Sequence, residues 1–452
     1  MSDRLPVGPY RRISFGENAS FPYYLIPFDK QGRCEGPETR RHLLDNAQQH
    51  SDIFLFSHGW NNDWKYATDR YEDFIHGFMK MRREHTLPVP SEYAPLLVGI
   101  FWPSLILVKD SEQAPKFAGD TIDDFSVAEE RQTIREIAET LPDNVVERFY
   151  SLTQKDHLDA TEAKELAVIL QREFRSSTED PTKQNAPDPE EIVRIWQEMN
   201  TTKEETKKET LDFADFGTPG PGGATATTPQ AASFFGDLVK SVLPRDAIRT
   251  ATAWKMKDRA GTIGATGVSS LLLELLRRTS ARIHLIGHSY GGKVVLSALC
   301  VPQDLPRPVT SVLLLQPAVN HLCFANKVPG TNRPGGYAAT LSRVERPIFS
   351  TFSANDMPLT KTFHLGLRRE EDFGEVRIAA DGEPPSRYAA LGGFGPREAG
   401  QRLIDIQLPP NVYTFADPAV RIYGLRGNNT ISGHGDISNP STWWALYNLM
   451  QR

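Results

Sequence analysis

The 452-residue chain is poor in cysteine, has no long apolar run and has no excess of basic residues. Its three cysteines, Cys34, Cys300 and Cys323, lack the close spacing of a zinc site, and so sparse a set is typical of reduced thiols in the cytoplasm. The amino terminus has no run of signal-peptide length, and the most apolar stretch, 269–276, carries Glu274, so no membrane anchor is expected. A formal net charge of −6 gives no basis for binding nucleic acid. We therefore expect a cytoplasmic protein that acts on a small molecule.

Short apolar segments alternate with longer amphipathic ones along much of the chain. The segments 52–57 and 96–102 are apolar runs bounded by loop signals and are predicted to be strands buried on both faces. Further strands are predicted at 23–28, 282–286, 309–315, 347–352 and 420–425. Helical periodicity lies between them. This alternation predicts an α/β fold with a doubly wound, mostly parallel sheet.

Residues 107–245 differ in composition from the rest of the chain. They are strongly acidic, they are predicted to form short amphipathic helices, and they contain a Pro/Gly/Thr-rich linker over 217–229. We therefore expect a core in two parts, 1–106 and 246–452, separated by an acidic helical insertion subdomain. The insertion is interpreted as a lid over a substrate site or as a docking module for a protein partner.

The clearest chemical signal is a G-x-S-x-G motif at 287–291, placed between a predicted strand and an apolar helix. Its two glycines leave room for Ser289 on a sharp turn with strained backbone geometry. Such a turn lifts the hydroxyl clear and places it at a helix N-terminus, where N–H groups and the helix dipole stabilise developing negative charge. Ser289 is therefore predicted to be a nucleophile.

This segment resembles the nucleophile elbow of the α/β-hydrolase superfamily, in which an acid and then a histidine follow the serine, each on a loop after a strand. Asp356 comes just past the apolar segment 347–352, and His434 lies in a glycine-flanked loop after the last predicted strand. The resemblance implies an α/β-hydrolase fold and an esterase- or lipase-like triad of Ser289, His434 and Asp356. It does not cover the insertion, which leaves the core before the elbow, whereas caps in the family commonly follow it.

Other acids and histidines fit this order less well. Two acids precede strands and one lies two residues from His434, while one histidine precedes every suitable acid and another has no strand between it and Asp356. These less suitable residues are Asp304, Asp417, Asp436, His321 and His364.

The tetrahedral intermediate of acyl transfer needs two N–H donors, which form an oxyanion hole. One is the N–H of Tyr290. The resemblance assigns the second to Trp60, because His58-Gly59-Trp60 is similar to the H-G-x oxyanion loop of the family, with Asn61 as an alternative donor. His58 is expected to order this loop. Three further side chains are candidates for the substrate pocket, although ordinary packing explains them equally well: Trp64, Trp102 and His288.

The expected reaction is hydrolysis of a carboxylic ester through an acyl-serine intermediate, with His434 as base and Asp356 orienting it. A serine peptidase or amidase, or an acyltransferase, would use the same triad, and a non-catalytic scaffold with this fold is a further alternative. No cofactor or metal is expected, since there is no G-x-G-x-x-G after a strand and no paired Cys/His spacing. The glycine-rich segment 261–267 lacks a P-loop lysine and is interpreted as relaxing the start of a helix.

Overall fold

The computed structural model describes residues 5–14, 20–60, 64–88, 91–104, 134–171, 188–206, 242–363, 388–415 and 417–451. The strands in these residues form one sheet: β1 (Arg11–Ser14), β2 (Ser20–Pro27), β3 (Asp52–Ser57), β4 (Pro95–Phe101), β5 (Arg282–His288), β6 (Ser311–Leu315), β7 (Ile348–Phe352), β8 (Arg402–Asp405) and β9 (Ile422–Arg426). The spatial order is β1-β2-β4-β3-β5-β6-β7-β9-β8, and every neighbouring pair is parallel except β1 with β2. The expected α/β class with a mostly parallel sheet is confirmed.

Helices cover both faces of this sheet. They are α1 (Pro37–Asn46), α2 (Trp64–Glu84), α3 (Asp143–Thr153), α4 (Ala160–Leu170), α5 (Pro189–Thr206), α6 (Pro244–Ile263), α7 (Ser269–Arg278), α8 (Tyr290–Cys300), the one-turn α9 (Leu391–Phe394) and α10 (Pro440–Met450). A π-helical segment, Gly264–Val268, joins α6 to α7, and single turns of other helix types occur at Ala47–Gln49, Ala338–Ser342 and Pro358–Thr362. No helix within the described residues is both long enough and apolar enough to cross a bilayer.

Side chains of the central strands alternate between two apolar clusters, one on each face of the sheet. In β3, Ile53 and Leu55 join the first cluster, whereas Phe54 and Phe56 join the second. An extended strand imposes this period of two, and both sets are apolar because both faces are covered. Helices α1, α6, α7 and α8 bury side chains in the first cluster, and α2 and α10 in the second. The core therefore has three layers, with the sheet in the middle.

Helices α3, α4 and α5 lie within residues 107–245, the predicted insertion, and pack on α6. Their buried side chains, among them Phe149 and Trp196, belong to the same apolar cluster as the first face of the sheet. Helix α4 begins with a capping box, because the Asp159 carboxylate accepts a hydrogen bond from the N–H of Glu162 at 2.9 Å and the Glu162 side chain accepts from the N–H of Asp159. The predicted linker over 217–229 lies outside the described residues.

The glycine-rich segment 261–267 lies inside a continuous helical stretch, so the expectation that it begins a helix is wrong. A Cβ on Gly264 would lie 2.3 Å from the carbonyl oxygen of Val294 in α8, and one on Gly267 would lie 2.3 Å from that of Gly32. Both distances are far shorter than a van der Waals contact. These glycines are needed because backbone segments approach one another closely there.

Strands β1 and β8 have no counterpart in the sequence-based prediction. They lie at the two edges of the sheet, and each is four residues long with exposed residues at its ends. An edge strand of this length buries few side chains and so carries no continuous apolar run. The signal that identified the central strands is therefore missing.

Candidate active site

Ser289 lies at the turn between β5 and α8 with φ 54° and ψ −124°, a backbone conformation that residues other than glycine rarely adopt. Three backbone hydrogen bonds hold it there. Its N–H donates to Leu315 at 3.1 Å, and its carbonyl accepts from the N–H groups of Gly292 at 3.0 Å and Ala318 at 3.1 Å. Strain of this kind persists only where the surroundings over-determine the conformation, and such sites are commonly functional.

The two glycines of the motif are required by close backbone contacts. A Cβ on Gly287 would lie 2.7 Å from the carbonyl oxygen of Gly291, and one on Gly291 would lie 2.1 Å from that of Ser57. Any side chain at either position would collide with the backbone. The reason inferred from the sequence, that a β-carbon at either flank would crowd the turn, agrees with these distances.

A third glycine, Gly59, lies against the serine itself. A Cβ there would be 2.6 Å from Cβ of Ser289 and 3.2 Å from its Oγ. The loop after β3 therefore passes directly beside the nucleophile candidate, because β3 and β5 are neighbours and both end at this edge of the sheet. Sequence reasoning used Gly59 only as part of a motif and did not identify this contact.

His434 and Asp356 form a hydrogen-bonded pair with both side chains fully buried. Nδ1 of His434 lies 2.8 Å from Oδ2 of Asp356, and the N–H of Leu359 donates to the other carboxylate oxygen at 3.1 Å. Burial raises the pKa of Asp356, although the imidazole and these hydrogen bonds oppose the shift. Since Nδ1 donates to the carboxylate, the neutral imidazole carries its basic lone pair on Nε2.

The loop between β9 and α10, residues 427–439, carries His434 and is called the histidine loop. It reaches the same edge of the sheet as Ser289. Nε2 of His288, the residue before the serine, lies 2.9 Å from the carbonyl oxygen of His434, and the two imidazole rings are 4.9 Å apart between centroids. Asp356 follows the carboxyl end of β7, and the loop of His434 follows that of β9. The structure thus brings Ser289, His434 and Asp356 to one edge of the sheet.

His58 is bonded to backbone through both ring nitrogens. Nδ1 donates to the carbonyl oxygen of Gly59 at 2.8 Å, and Nε2 accepts from the N–H of Trp102 at 3.2 Å. Burial lowers the pKa of His58 to about 4, so the ring is neutral near pH 7. Because a trans peptide is planar, the N–H of Trp60 points away from the Gly59 carbonyl that His58 holds.

The tryptophans named as pocket candidates have packing contacts. Trp102 is fully buried and stacks on His58 with ring centroids 5.2 Å apart. Trp64 packs on Phe101 and donates from Nε1 to the hydroxyl of Tyr10 at 3.2 Å. A pocket role for either tryptophan stays a prediction. The rings of Trp60 and Tyr290 lie 6.2 Å apart, so the two residues assigned to the oxyanion hole are neighbours.

Two residues near His434 were missed by sequence reasoning. Arg70 in α2 donates to the carbonyl oxygen of Gly435 at 2.5 Å, and Nε2 of Gln316 donates to that of Gly433 at 2.7 Å. Gln316 follows directly on the apolar strand β6, which is the signal that identified Asp356. Arg70 lies within a long amphipathic helix, and nothing local distinguishes it from a surface arginine.

The less suitable acids take other roles. Asp417 accepts from the N–H of Ala419 at 2.9 Å, as a turn residue before Pro418 would, and Asp436 accepts from the N–H of Ser432 at 2.9 Å within the histidine loop. Asp304 is exposed in the segment before β6, and His321 is buried in the segment after it. Asn61 and His364 lie outside the described residues.

Helix α6 runs in the same direction as α8 and extends past its first residue. A Cβ on Gly261 would lie 2.8 Å from the Lys293 side chain, and three residues later Gly264 abuts Val294. Counted back from these contacts, residues 244–257 extend beyond the level of Ser289 by about 20 Å, at about 1.5 Å per residue.

Lys257, at the end of this projecting segment, has its Nζ 5.6 Å from the ring centroid of Phe363. Phe363 follows the π-helical turn that begins shortly after Asp356. The first half of α6, with α3, α4 and α5 packed on the helix, therefore stands beside the edge of the sheet that carries the candidate triad.

In the part of the chain that the structure describes, no group of three or more His, Cys, Asp or Glu side chains is arranged to hold a metal ion. Comparisons of the chain with protein-family models, with curated proteins and with solved structures found no match.

Proposed function

We propose that the protein is a serine hydrolase of the α/β-hydrolase type that cleaves a carboxylic ester through an acyl-serine intermediate. The observation that carries this proposal is the buried 2.8 Å contact between His434 and Asp356, at the edge of the sheet where Ser289 is held at φ 54°. A serine becomes nucleophilic only when a base takes its proton, and a third group must orient that base. This edge of the sheet supplies a candidate for each part.

In the proposed reaction, Oγ of Ser289 attacks the ester carbonyl carbon while Nε2 of His434 takes the hydroxyl proton. Collapse of the tetrahedral intermediate breaks the bond to the alkoxy group, which leaves as an alcohol with the proton from His434. Water then attacks the acyl-serine, His434 takes a proton from it, and Ser289 departs with that proton as the acid is released. Asp356 accepts the Nδ1–H throughout and stabilises the imidazolium.

The negative charge on the tetrahedral intermediate requires donors aimed at it. The N–H of Tyr290 begins helix α8, and the N–H of Trp60 belongs to the peptide beside Ser289 that His58 orients. We assign these two groups to the oxyanion hole. A neutral, buried His58 suits this role because its hydrogen bond to the Gly59 carbonyl fixes the peptide that carries the Trp60 N–H. Little free energy is then needed to reorient this N–H as charge develops.

The projecting half of α6 and the insertion helices are proposed to bound the substrate site. Support comes from their buried side chains, which share one apolar cluster with Trp60 and Tyr290. Such shared packing favours a wall fixed to the core over a hinged lid, because hinged elements have few buried contacts. The substrate is proposed to be a small ester that fits between this wall and the sheet.

The proposal is tested with a panel of chromogenic esters of graded chain length beside peptide and amide substrates, each assayed with the wild type and Ser289→Ala. We expect turnover of at least one ester by the wild type and its loss in the variant. Turnover of amides alone would replace the esterase assignment with an amidase. Ester turnover that survives Ser289→Ala would refute the proposal.

A further inference from the structure

Three consecutive carbonyl groups in the loop around His434 each accept a hydrogen bond from a side chain of a different element. Gln316, after β6, donates to Gly433 at 2.7 Å and to His434 at 3.1 Å. His288, at the end of β5, lies 2.9 Å from the carbonyl oxygen of His434. Arg70, from α2 on the second face of the sheet, completes the set at the carbonyl of Gly435. We call Arg70, His288 and Gln316 the carbonyl clamp.

The contact with Arg70 determines the protonation of His288. Nη1 of Arg70 lies 3.3 Å from Nδ1 of His288, and a guanidinium can only donate. Nδ1 must therefore accept, and the proton resides on Nε2, which donates to the carbonyl of His434. Burial, and then the positive charge of Arg70, lower the pKa of His288 well below its usual value, which agrees with a neutral ring.

The loop that the clamp holds also has internal hydrogen bonds, since the Asp436 carboxylate accepts from the N–H and from the hydroxyl of Ser432, each at 2.9 Å. His434 stands between Gly433 and Gly435, and glycine has the largest backbone freedom of any residue. Asp356 bonds the imidazole at Nδ1, which orients the ring but does not by itself fix the backbone that carries it. Side-chain donors on the carbonyl groups of three successive residues restrict that backbone directly.

We propose that Arg70, His288 and Gln316 are positioning residues that hold His434 in register with Ser289, and this inference rests on the proposed function. They act through the backbone of the base and do not touch the substrate. A displacement of about 1 Å between reacting groups can cost about 100-fold in rate, so loss of the clamp is expected to lower kcat while substrate binding is retained.

The chain offers matched variants for this inference. His288→Phe keeps the ring volume without a donor, whereas His288→Gln keeps a donor for the carbonyl of His434 and an acceptor for Arg70. Arg70→Met removes the guanidinium. Arg82→Met is the control, because Arg82 lies on the same helix, is buried and donates to the carbonyl oxygen of Pro88 at 3.0 Å, away from the candidate triad.

The measurements are kcat and KM for 4-nitrophenyl acetate, with thermal unfolding as a check on folding. We expect His288→Phe and Arg70→Met to lower kcat by about 10- to 100-fold with KM within about twofold, because residues that only orient a functional group have effects of this size. His288→Gln should recover most of the rate, and Arg82→Met should lower thermal stability with kcat unchanged. If Arg70→Met does not fold, the two His288 variants decide the question.

A second readout does not depend on turnover. The Nδ1 proton of His434, bonded to Asp356, should give a downfield proton resonance in the wild type that weakens through faster exchange in His288→Phe and not in Arg82→Met. Suppose that the wild type has Ser289-dependent turnover. The inference on the clamp then fails, and the proposed function stands, if His288→Phe and Arg70→Met have the kcat of the wild type or if Arg82→Met loses as much kcat as these two variants. If the wild type has no Ser289-dependent turnover, the proposed function fails and the inference fails with it.

Discussion

Among the described residues we compare two buried sets of serine, histidine and aspartate side chains, one at the carboxyl edge of the sheet and one near the amino-terminal ends of β3, β5 and β6. At the carboxyl edge of the sheet, Asp356 contacts His434, and Ser289 lies at the same edge, after β5. Within the sheet, His284 bonds Ser311 at 2.8 Å through Nδ1 and Asp52 at 3.0 Å through Nε2, and all three side chains are fully buried. We call these the edge constellation and the strand constellation.

Their backbones differ more than their side chains. Ser311 and His284 are paired residues in the neighbouring strands β6 and β5, so both have extended backbone and their peptide groups belong to the sheet. Ser289 instead has φ 54° and stands at the start of a helix. A strand residue offers no cluster of N–H groups beside its hydroxyl, whereas a helix N-terminus does.

Their carboxylates also differ in electrostatic setting. Burial tends to raise the pKa of Asp52, but His284, Ser51 and Arg282, whose Nη2 lies 2.6 Å away, lower it below its usual value overall. Within the described residues no arginine or lysine forms an ion pair with Asp356, and burial raises its pKa. The positive charge of Arg282 thus compensates the buried carboxylate of Asp52, and we assign the strand constellation a structural role. The identity of the side chains alone does not distinguish it from a catalytic set.

The sharpest test of this difference substitutes each serine. Ser289→Ala should lower ester turnover by about 10⁵-fold or more, because the nucleophile is lost. Ser311→Ala should leave turnover within about twofold and lower the free energy of unfolding by about 1–3 kcal/mol, because a buried nitrogen of His284 loses its partner. Steady-state kinetics and urea unfolding measure the two effects. Equal loss of turnover in both variants would remove the distinction between the constellations.

Replacing each aspartate by asparagine separates orientation from stability. Asp356→Asn should lower kcat by about 10⁴-fold, since an amide no longer holds His434 as the Nδ1–H tautomer. Asp52→Asn should preserve kcat and lower the free energy of unfolding by about 3 kcal/mol, because Arg282 and His284 lose their counter-charge. Kinetics and urea unfolding on both variants report the outcome, and a large kcat loss in Asp52→Asn would contradict the structural assignment.

Substitution of two glycines by alanine tests whether Ser289 needs the free space beside it. Gly59→Ala places a methyl group 2.6 Å from Cβ of Ser289, so we expect about a 100-fold loss of kcat/KM. Gly433→Ala is the control, because its Cβ would meet no atom of the described residues within 4 Å although it adjoins His434. Unchanged kinetics in Gly59→Ala would show that the loop after β3 moves away at no cost.

The smallest effect concerns acid stability. The pKa of His58 falls to about 4 in the folded protein, against about 6.5 for an exposed histidine, so the folded state binds protons less readily than the unfolded state. The stability from this neutral ring is complete above about pH 6.5 and is lost as the pH falls towards 4. Between pH 7 and pH 5 the loss is about 2 kcal/mol.

His284 and His288 have lowered pKa values for the same first cause, burial, so they add to this loss. Urea unfolding of the wild type and His58→Gln at the two pH values isolates the share of His58. We expect the variant to lose about 2 kcal/mol less than the wild type over this interval. An identical loss in both proteins would contradict the assignment.

Central strands and the candidate triad could be predicted because their signals are local. An apolar run followed by a loop indicates a buried strand, and Asp356 and His434 were selected in the loops after such runs by the chain order that the resemblance implies. The elbow is equally local, since Ser289 and its two glycines lie within five residues of sequence.

The carbonyl clamp and the strand constellation could not be predicted in this way. Arg70 reaches Gly435 across 365 positions of sequence, and no pattern around either residue records that approach. His284 and Ser311 each stand in an ordinary apolar strand, and only the register between β5 and β6 makes them partners. Contacts of this kind depend on how elements assemble, which periodicity along one chain does not contain.

We propose that Ser289, and not another buried serine, is the nucleophile. The most direct measurement is reaction of the folded protein with a fluorophosphonate probe, followed by peptide mapping of the adduct by mass spectrometry. The account predicts one adduct, on Ser289, that forms equally in Ser311→Ala and is absent in Ser289→Ala. A folded protein that takes up no probe, or that carries it on a different serine, would contradict the account.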